Sequence, residues 1–198
     1  KVVNENGEPM VFYHGTRSDF NEPSTYNTSG GAIWLTPNPD TASTYTYSES
    51  ISNKETKRYT DNGNIMPFYV KSDNVITIKT DGQKWNEIKQ DTEVVDGFLT
   101  NGKPLGTVAD ILNENTIIEY DIWEDERVKT DHIADSFRQS ENQPAVFFDR
   151  VYDTGNNEKG IRVNGNGEFI SKGADYVLAV FNPNQIKSAT GNIGTFDN

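Results

Sequence analysis

Short apolar runs separated by turn-forming residues dominate the pattern of hydrophobic and polar positions along the chain. Runs of about four to eight residues rich in Val, Ile, Phe and Tyr, bounded by Gly, Pro, Asn or Asp, are typical of β-strands. An Asn-Gly pair between two such runs indicates a hairpin. The predicted strands cover residues 1–13 (a hairpin), 32–35, 65–78 (two strands with a break near 72–74), 145–148 and 176–181.

Capping residues indicate two short helices. Thr36 or Asn38 can cap a helix that runs through about Thr46, because their side-chain oxygens accept hydrogen bonds from the first backbone N–H groups. Pro39 is tolerated in the first turn, where the helix needs no N–H donor. A second helix is predicted over residues 130–138. The polar stretches between these elements, residues 17–31, 48–64 and 154–174, are predicted to be loops.

Many short strands with a few short helices predict the α+β class. A chain of 198 residues is long enough to bury a core as one domain. Aromatic residues make up 11% of the chain whereas Met is rare, which favours a β-rich core. Residues 80–129 carry scattered apolar residues in an acidic background, and we interpret them as short helices and loops of an insertion or variable region. Because the chain begins at Lys1 rather than Met, we expect it to be part of a larger polypeptide.

Composition excludes several classes of function. The formal net charge of −12 repels nucleic-acid phosphates and disfavours an extended nucleic-acid interface. The absence of cysteine excludes disulfides, a Cys nucleophile and a Cys zinc site. The two histidines, His14 and His132, lack the close spacing of a metal motif, so no metal site is predicted. No apolar run reaches the roughly 18–20 residues of a membrane-spanning helix.

Two segments carry candidate chemistry, and each also has a purely structural interpretation. His14 lies at the end of a predicted strand beside Gly15, an arrangement that suits recognition of a flat polar group. Taken alone, such a histidine is more often a hydrogen-bonded structural residue. Trp34 and Tyr45 offer ring faces for stacking, and the glycine pair at 30–31 keeps the backbone open beside a ligand. The alternative is a turn, a core Trp and a Tyr that packs its helix.

The order and content of these segments, together with the apolar strand that follows Asp175, resemble the ADP-ribosyltransferase superfamily of the His-Tyr-Glu type. Diphtheria toxin and the poly(ADP-ribose) polymerases share this type. The resemblance is closest to the phage and mobile-element branch, whose domains are embedded in large polyvalent proteins. It implies an ADP-ribosyltransferase-like fold. In this fold, split and mainly antiparallel β-sheets surround an NAD cleft, and short helices flank them. The matching stretches are residues 2–16, 31–45, 66–75, 130–153 and 175–197.

The resemblance implies a role for each matching residue around NAD, which is the substrate. His14 is expected to contact the 2′-hydroxyl of the ribose attached to nicotinamide. Gly15, followed by Thr16 in the same motif, is expected to hold the nicotinamide amide through its backbone. Trp34 is expected to line the nicotinamide pocket and Tyr45 to stack on the ring.

The glutamate of the His-Tyr-Glu type is the residue at which this chain departs from the family pattern. Counting along the last strand, the glutamate position falls on Val177, and Asp175 stands two residues earlier. A shift of two residues keeps the same face of a strand, so Asp175 is the candidate carboxylate. Glu168 is a weaker candidate. The alternative is that the site has lost its carboxylate. In the family, a small hydroxyl residue is common one turn before the tyrosine, and this chain has Ala42 at that position.

The resemblance therefore implies a mono-ADP-ribosyltransferase or NAD glycohydrolase with His14, Tyr45 and Asp175 as catalytic residues. A protein is the expected acceptor, with water and nucleic acid left open. A bacterial host cytoplasm, or delivery with a phage or secreted particle, is the expected location, with no membrane association. Two other functions stay open. One is an inactive interaction module of the same fold, and the other is a small RNase-like toxin domain, which the acidic charge disfavours.

Overall fold

Strands dominate the part of the chain that the computed structural model describes, namely residues 2–3, 6–17, 23–26, 28–52, 55–59, 63–96, 104–114, 127–138, 143–153 and 175–190. The strands are β1 (Val11–Thr16), β2 (Ile33–Leu35), β3 (Ser48–Ser52), β4 (Glu55–Tyr59), β5 (Asn64–Val70), β6 (Val75–Lys79), β7 (Ile88–Lys89), β8 (Val94–Val95), β9 (Arg127–Val128), β10 (Ala145–Val151), β11 (Asp175–Val180) and β12 (Ile186–Ser188). The α-helices are α1 (Pro39–Ser43), α2 (Val108–Glu114) and α3 (Thr130–Arg138).

Two sheets form the body of the structure. The three-stranded sheet has the order β1-β5-β12, and all its strands are antiparallel. The five-stranded sheet has the order β2-β11-β10-β6-β8, in which only the β10–β6 pair is parallel. β5 and β6 follow each other in sequence but lie in different sheets. The chain therefore changes sheet at the polar break near residues 72–74 that the sequence indicates.

The core has two parts because the five-stranded sheet is covered on both faces. One cluster draws on both sheets and fills the space between them. Along β11, Leu178 and Val180 belong to this inter-sheet core. Val177 and Ala179 alternate with them and belong to a second cluster under α2 and α3. The inter-sheet core consists of Phe12, Ile33, Leu35, Met66, Phe68, Val70, Ala145, Leu178 and Val180.

Within the described part of the chain, the bridge between Tyr13 and Thr36 joins the edges of the two sheets. The Tyr13 N–H donates to the Thr36 carbonyl at 2.7 Å, and the Thr36 N–H donates back to the Tyr13 carbonyl at 3.0 Å. Because Tyr13 lies within β1 and Thr36 follows β2, this bridge fixes the two predicted binding segments against each other. It also sets the start of α1, which begins a few residues later.

The strands predicted over 32–35, 65–78, 145–148 and 176–181 are confirmed, and so is a helix over Thr130–Arg138. Of the hairpin predicted over residues 1–13, the second arm is β1, whereas the described part of the first arm forms only the Val3–Pro9 bridge. The first helix is shorter than predicted, since α1 ends at Ser43 and the chain continues to Thr46 in tighter turns. The hydroxyls of Thr44 and Thr46 donate to backbone carbonyls one turn earlier. Such side-chain bonds compete with the helical ladder and account for the early end.

Two loop predictions were wrong. Residues 48–64 were expected to be a hydrophilic loop, but they contain the antiparallel pair β3–β4 and the start of β5. A hydrophilic sequence gives no hydrophobic alternation, so the pattern could not reveal this ladder. The region 80–129 was expected to form short helices and loops, but its described part also contains β7, β8 and β9. Its buried residues belong to the core beneath α2 and α3, and its origin as an insertion stays a prediction.

Within the described ranges, no helix is both long enough and apolar enough to cross a membrane.

Candidate functional site

His14 lies beside the bridge between the two sheets. Its Nδ1 is 2.9 Å from the carbonyl oxygen of Trp34 on β2. A carbonyl oxygen only accepts, so Nδ1 carries the proton, and in the neutral ring Nε2 is then an acceptor. Burial lowers the pKa of His14, and the hydrogen bond to Trp34 opposes this by favouring the charged form. The sequence predicted that His14 recognises a flat polar group. The structure adds that the hydrogen bond to Trp34 on β2 defines the tautomer of its ring.

Gly15 is the point at which α1 rests on β1. A Cβ atom at this position would overlap the carbonyl oxygen of Ala42 and would lie 3.2 Å from the Cβ of Tyr45. The absence of a side chain therefore lets the last turn of α1 contact the strand directly. Asn38 caps the helix by accepting from the Asp40 N–H at 3.0 Å, as the sequence indicates. Gly15, Ala42 and Tyr45 thus form one packed contact.

Asp175 opens β11 and is buried beneath the first turns of α1, with 8% of its surface exposed. Its Oδ2 accepts from the Asn38 side-chain amide at 3.0 Å and from the hydroxyl of Thr41. Its Oδ1 accepts from the Tyr176 N–H at 3.0 Å. The carboxylate of the predicted acidic residue therefore fastens α1 to the five-stranded sheet. Glu168, the weaker candidate, lies outside the described residues.

Tyr45 extends from the end of α1 to a second buried carboxylate, Asp153. The phenol O–H lies 2.6 Å from both Oδ1 and Oδ2 of Asp153. Asp153 is 8% exposed and Tyr45 is 37% exposed. Sequence reasoning missed Asp153, which follows the predicted strand over 145–148 and was given no role. No local signal marks it, because its partner lies over a hundred positions away in the chain.

Trp34 and the glycine pair before it pack mainly on the side of the structure covered by helices. The Trp34 Nε1–H donates to the Ser29 carbonyl at 2.9 Å, and its ring lies 5.9 Å from that of Phe148. Both glycines have positive φ angles, and Cβ atoms on them would overlap α3. The space beside Gly30 and Gly31 is therefore filled by protein, so the structural interpretation of this pair is the better one.

A family model described as "ADP-Ribosyltransferase in polyvalent proteins" matches residues 4–196. The chain belongs to this family. No curated protein and no solved structure matched the chain. The match confirms the predicted resemblance to the polyvalent-protein branch of the ADP-ribosyltransferases.

Membership of the ADP-ribosyltransferase family indicates a transferase, and the strand-rich architecture is compatible with the fold of this family. Enzymes of this kind use NAD as their substrate in general. The residues that the resemblance implied lie on β1, β2, α1 and β11, around the bridge between the sheets. Thr16 ends β1 opposite Asn64. The NAD-binding and catalytic roles of His14, Gly15, Thr16, Trp34, Tyr45 and Asp175 stay predictions.

The described residues of this family member contain no group of three or more His, Asp or Glu side chains that could hold a metal ion. The carboxylates nearest to α1 are instead engaged by hydroxyl and amide donors. The chemistry of the site is thus built from hydrogen-bond donors, one imidazole and two buried acids.

We predict that His14 makes the folded protein less stable at mildly acidic pH. The folded-state pKa lies below the ordinary value of 6.5, so the unfolded chain binds the proton more readily. The contribution of His14 to the free energy of unfolding is therefore fully present above pH 6.5, and it is lost as the pH drops toward the folded-state pKa. Urea unfolding between pH 7.5 and pH 5 should show this loss.

The His14→Asn variant is the matched comparison, because its amide N–H can take the place of Nδ1–H opposite Trp34. The difference between the two stability curves isolates His14 from the many carboxylates that titrate at lower pH. Equal pH dependence in the two proteins would contradict the assignment of a lowered pKa to His14.

Proposed function

We propose that the chain is an NAD-dependent mono-ADP-ribosyltransferase of the His-Tyr-Glu type. It would break the nicotinamide–ribose bond and transfer ADP-ribose to a macromolecular acceptor, with a protein as the favoured acceptor and hydrolysis as a side reaction. We treat residues 1–198 as one such domain. The observation that carries the proposal is the family match over residues 4–196, combined with a packed contact in which Gly15, the neighbour of His14 on β1, meets Ala42 and Tyr45.

The nicotinamide end of NAD fits the chemistry of this edge. Nε2 of neutral His14 is an acceptor, which suits a ribose hydroxyl as donor. Tyr45 is more than one third exposed while its hydroxyl is held, and an aromatic ring suits stacking on a flat heterocycle. The Gly15 backbone is assigned to the nicotinamide amide by the family pattern, and the side on which a Cβ would stand is occupied by Ala42. Thr16 and Trp34 are assigned to the same end by the family pattern alone.

Bond cleavage in this reaction class proceeds through an oxocarbenium-like state, in which nicotinamide leaves with the bonding electron pair and positive charge develops on the ribose. The protein needs to hold the two rings and to place negative charge nearby. We assign the carboxylate to Asp175, which shares the strand face of Val177, the family position. Its charge would stabilise the developing cation and orient the incoming nucleophile, which gives up its proton on attack.

Turnover of etheno-NAD tests the proposal directly. The purified protein should release a fluorescent product, and His14→Ala should lower kcat/KM about tenfold, the expected loss for one neutral hydrogen bond. The matched control is His132→Ala, since His132 lies on α3 and not at the edge of β1. A folded protein that neither binds NAD nor turns it over would exclude this function.

A second candidate is the inactive interaction module that keeps the fold. The burial of Asp175 favours it, because both carboxylate oxygens accept hydrogen bonds from within the protein. This candidate predicts weak or absent NAD binding, no turnover, and no effect of His14→Ala on partner binding. The etheno-NAD measurement separates the two.

A further inference from the structure

The contact between Tyr45 and Asp153 fixes one end of an otherwise accessible side chain. The phenol oxygen is equidistant from the two carboxylate oxygens, at 2.6 Å from each. That length is typical of a hydrogen bond from a hydroxyl to a carboxylate, which is stronger than one between neutral groups. The other end of Tyr45 is held by α1, because its backbone N–H donates to Ala42 at 3.1 Å. The long axis of the ring is therefore defined, and with it the χ1 rotamer.

A bulge in β10 places Asp153 where Tyr45 can reach it. The register shifts between the pairs Phe148–Val177 and Val151–Asp175, so one extra residue is accommodated on β10. Phe148 and Val151 are consequently both buried in the core beneath α2 and α3, although simple alternation would put them on opposite faces.

The extra residue decides which face Asp153 occupies. Asp153 follows the end of β10, and the alternation of buried Val151, partly buried Tyr152 and buried Asp153 continues the shifted register. Without the extra residue, the same alternation would direct Asp153 to the opposite side. Arg150, in the bulge, has a φ of 59°, which is uncommon for a residue with a side chain. Bulges of this kind often re-aim side chains beside functional sites.

Asp153 and Asp175 together hold the segment formed by α1 and the turn that follows it to Tyr45. Thr41 donates to Asp175 and Tyr45 donates to Asp153, and these two donors are four residues apart. Asp175 anchors the beginning of the segment, and Asp153 anchors the tyrosine at its end.

We propose that Asp153 is a positioning residue that holds the Tyr45 ring ready to stack on nicotinamide. The proposal rests on the proposed function, because it assigns Asp153 a role in that same site. A side chain fixed before binding loses less rotamer entropy when the ligand arrives. Removing the carboxylate should therefore weaken NAD binding although Asp153 need not touch NAD.

A double-mutant cycle with Tyr45→Phe and Asp153→Ala tests the proposal. Each single variant should raise KM for NAD about tenfold, with kcat changed much less, because the ring still stacks once bound. The double variant should be no worse than either single variant. Asp153→Asn keeps an acceptor oxygen and should recover most of the affinity. Tyr26→Phe and Asp149→Asn are the matched controls, since Tyr26 is exposed and Asp149 pairs with Lys79.

The thermal unfolding of the same variants is also measured in the absence of NAD. Tyr45→Phe removes only a hydroxyl, and we expect it to lower Tm by about 2–4 °C, with no further loss in the double variant. Additive effects on KM would overturn the proposal, and so would unchanged KM values in variants whose Tm falls, which would make the contact a structural latch alone. A wild-type protein that does not bind NAD would instead remove the proposed function itself.

Discussion

Replacing Gly15 with alanine should destabilise the protein by at least about 3 kcal/mol, at the upper end of what overpacking costs. The added Cβ would overlap the backbone oxygen of Ala42, and a backbone atom cannot rotate away as a side chain can. The last turn of α1 would have to lift off β1. Because Tyr45 follows that turn, NAD affinity should fall together with stability.

Gly7→Ala is the matched control for this experiment. Gly7 has a φ of 77° but no atom within 4 Å of an added Cβ, so the substitution tests conformational strain without a clash. We expect it to cost about 1 kcal/mol. Gly15 has no such φ, so its substitution tests the clash alone. Urea unfolding of both variants measures the two costs. A loss below about 1 kcal/mol for Gly15→Ala would show that α1 does not rest on β1 as described.

Replacing Asp175 with alanine should cost about 2–4 kcal/mol of unfolding free energy, because the amide of Asn38 and the hydroxyl of Thr41 would lose a buried acceptor. Asp175→Asn keeps the shape and one acceptor oxygen, so its stability cost should be smaller. If Asp175 is the carboxylate of the proposed reaction, Asp175→Asn should still lower kcat about 100-fold, a typical effect of losing one transition-state contact.

Asp40→Asn is the control for charge. Asp40 lies in the first turn of the same helix but is exposed, so its loss should change stability by no more than about 0.5 kcal/mol and leave turnover unchanged. Urea unfolding and etheno-NAD turnover are measured on all three variants. A stable Asp175→Asn protein with unchanged kcat would show that Asp175 is only the anchor of α1.

The elements with strong local signals could be predicted from the sequence. The apolar run of β11, the break between β5 and β6, and the helix over Thr130–Arg138 each have a hydrophobic period or a cap that depends only on neighbouring residues. The pair β3–β4 could not be predicted in this way. Its residues are mostly polar, and strand pairing there depends on the backbone rather than on an apolar face.

The candidate site also has residues that the sequence could predict and residues whose role needed the structure. The motif order around His14, Gly15, Trp34 and Tyr45 was enough to predict the family, because the identity and sequence of those residues are properties of the chain alone. The interpretation of the glycines at 30–31 needed the structure, since only the fold shows α3 packed against them.

What the sequence by itself determined is the family, the strand-rich class and the nicotinamide-binding candidates, including the His14-Gly15 pair. What only the tertiary structure decided is how the acidic residues are used. Asp175 is fastened to Thr41 and Asn38, and Asp153 is turned toward Tyr45 by a one-residue bulge. The physical reason is that a bulge reverses the facing of every later residue in its strand, and carboxylate partners far apart in sequence meet only when the sheets and α1 are assembled.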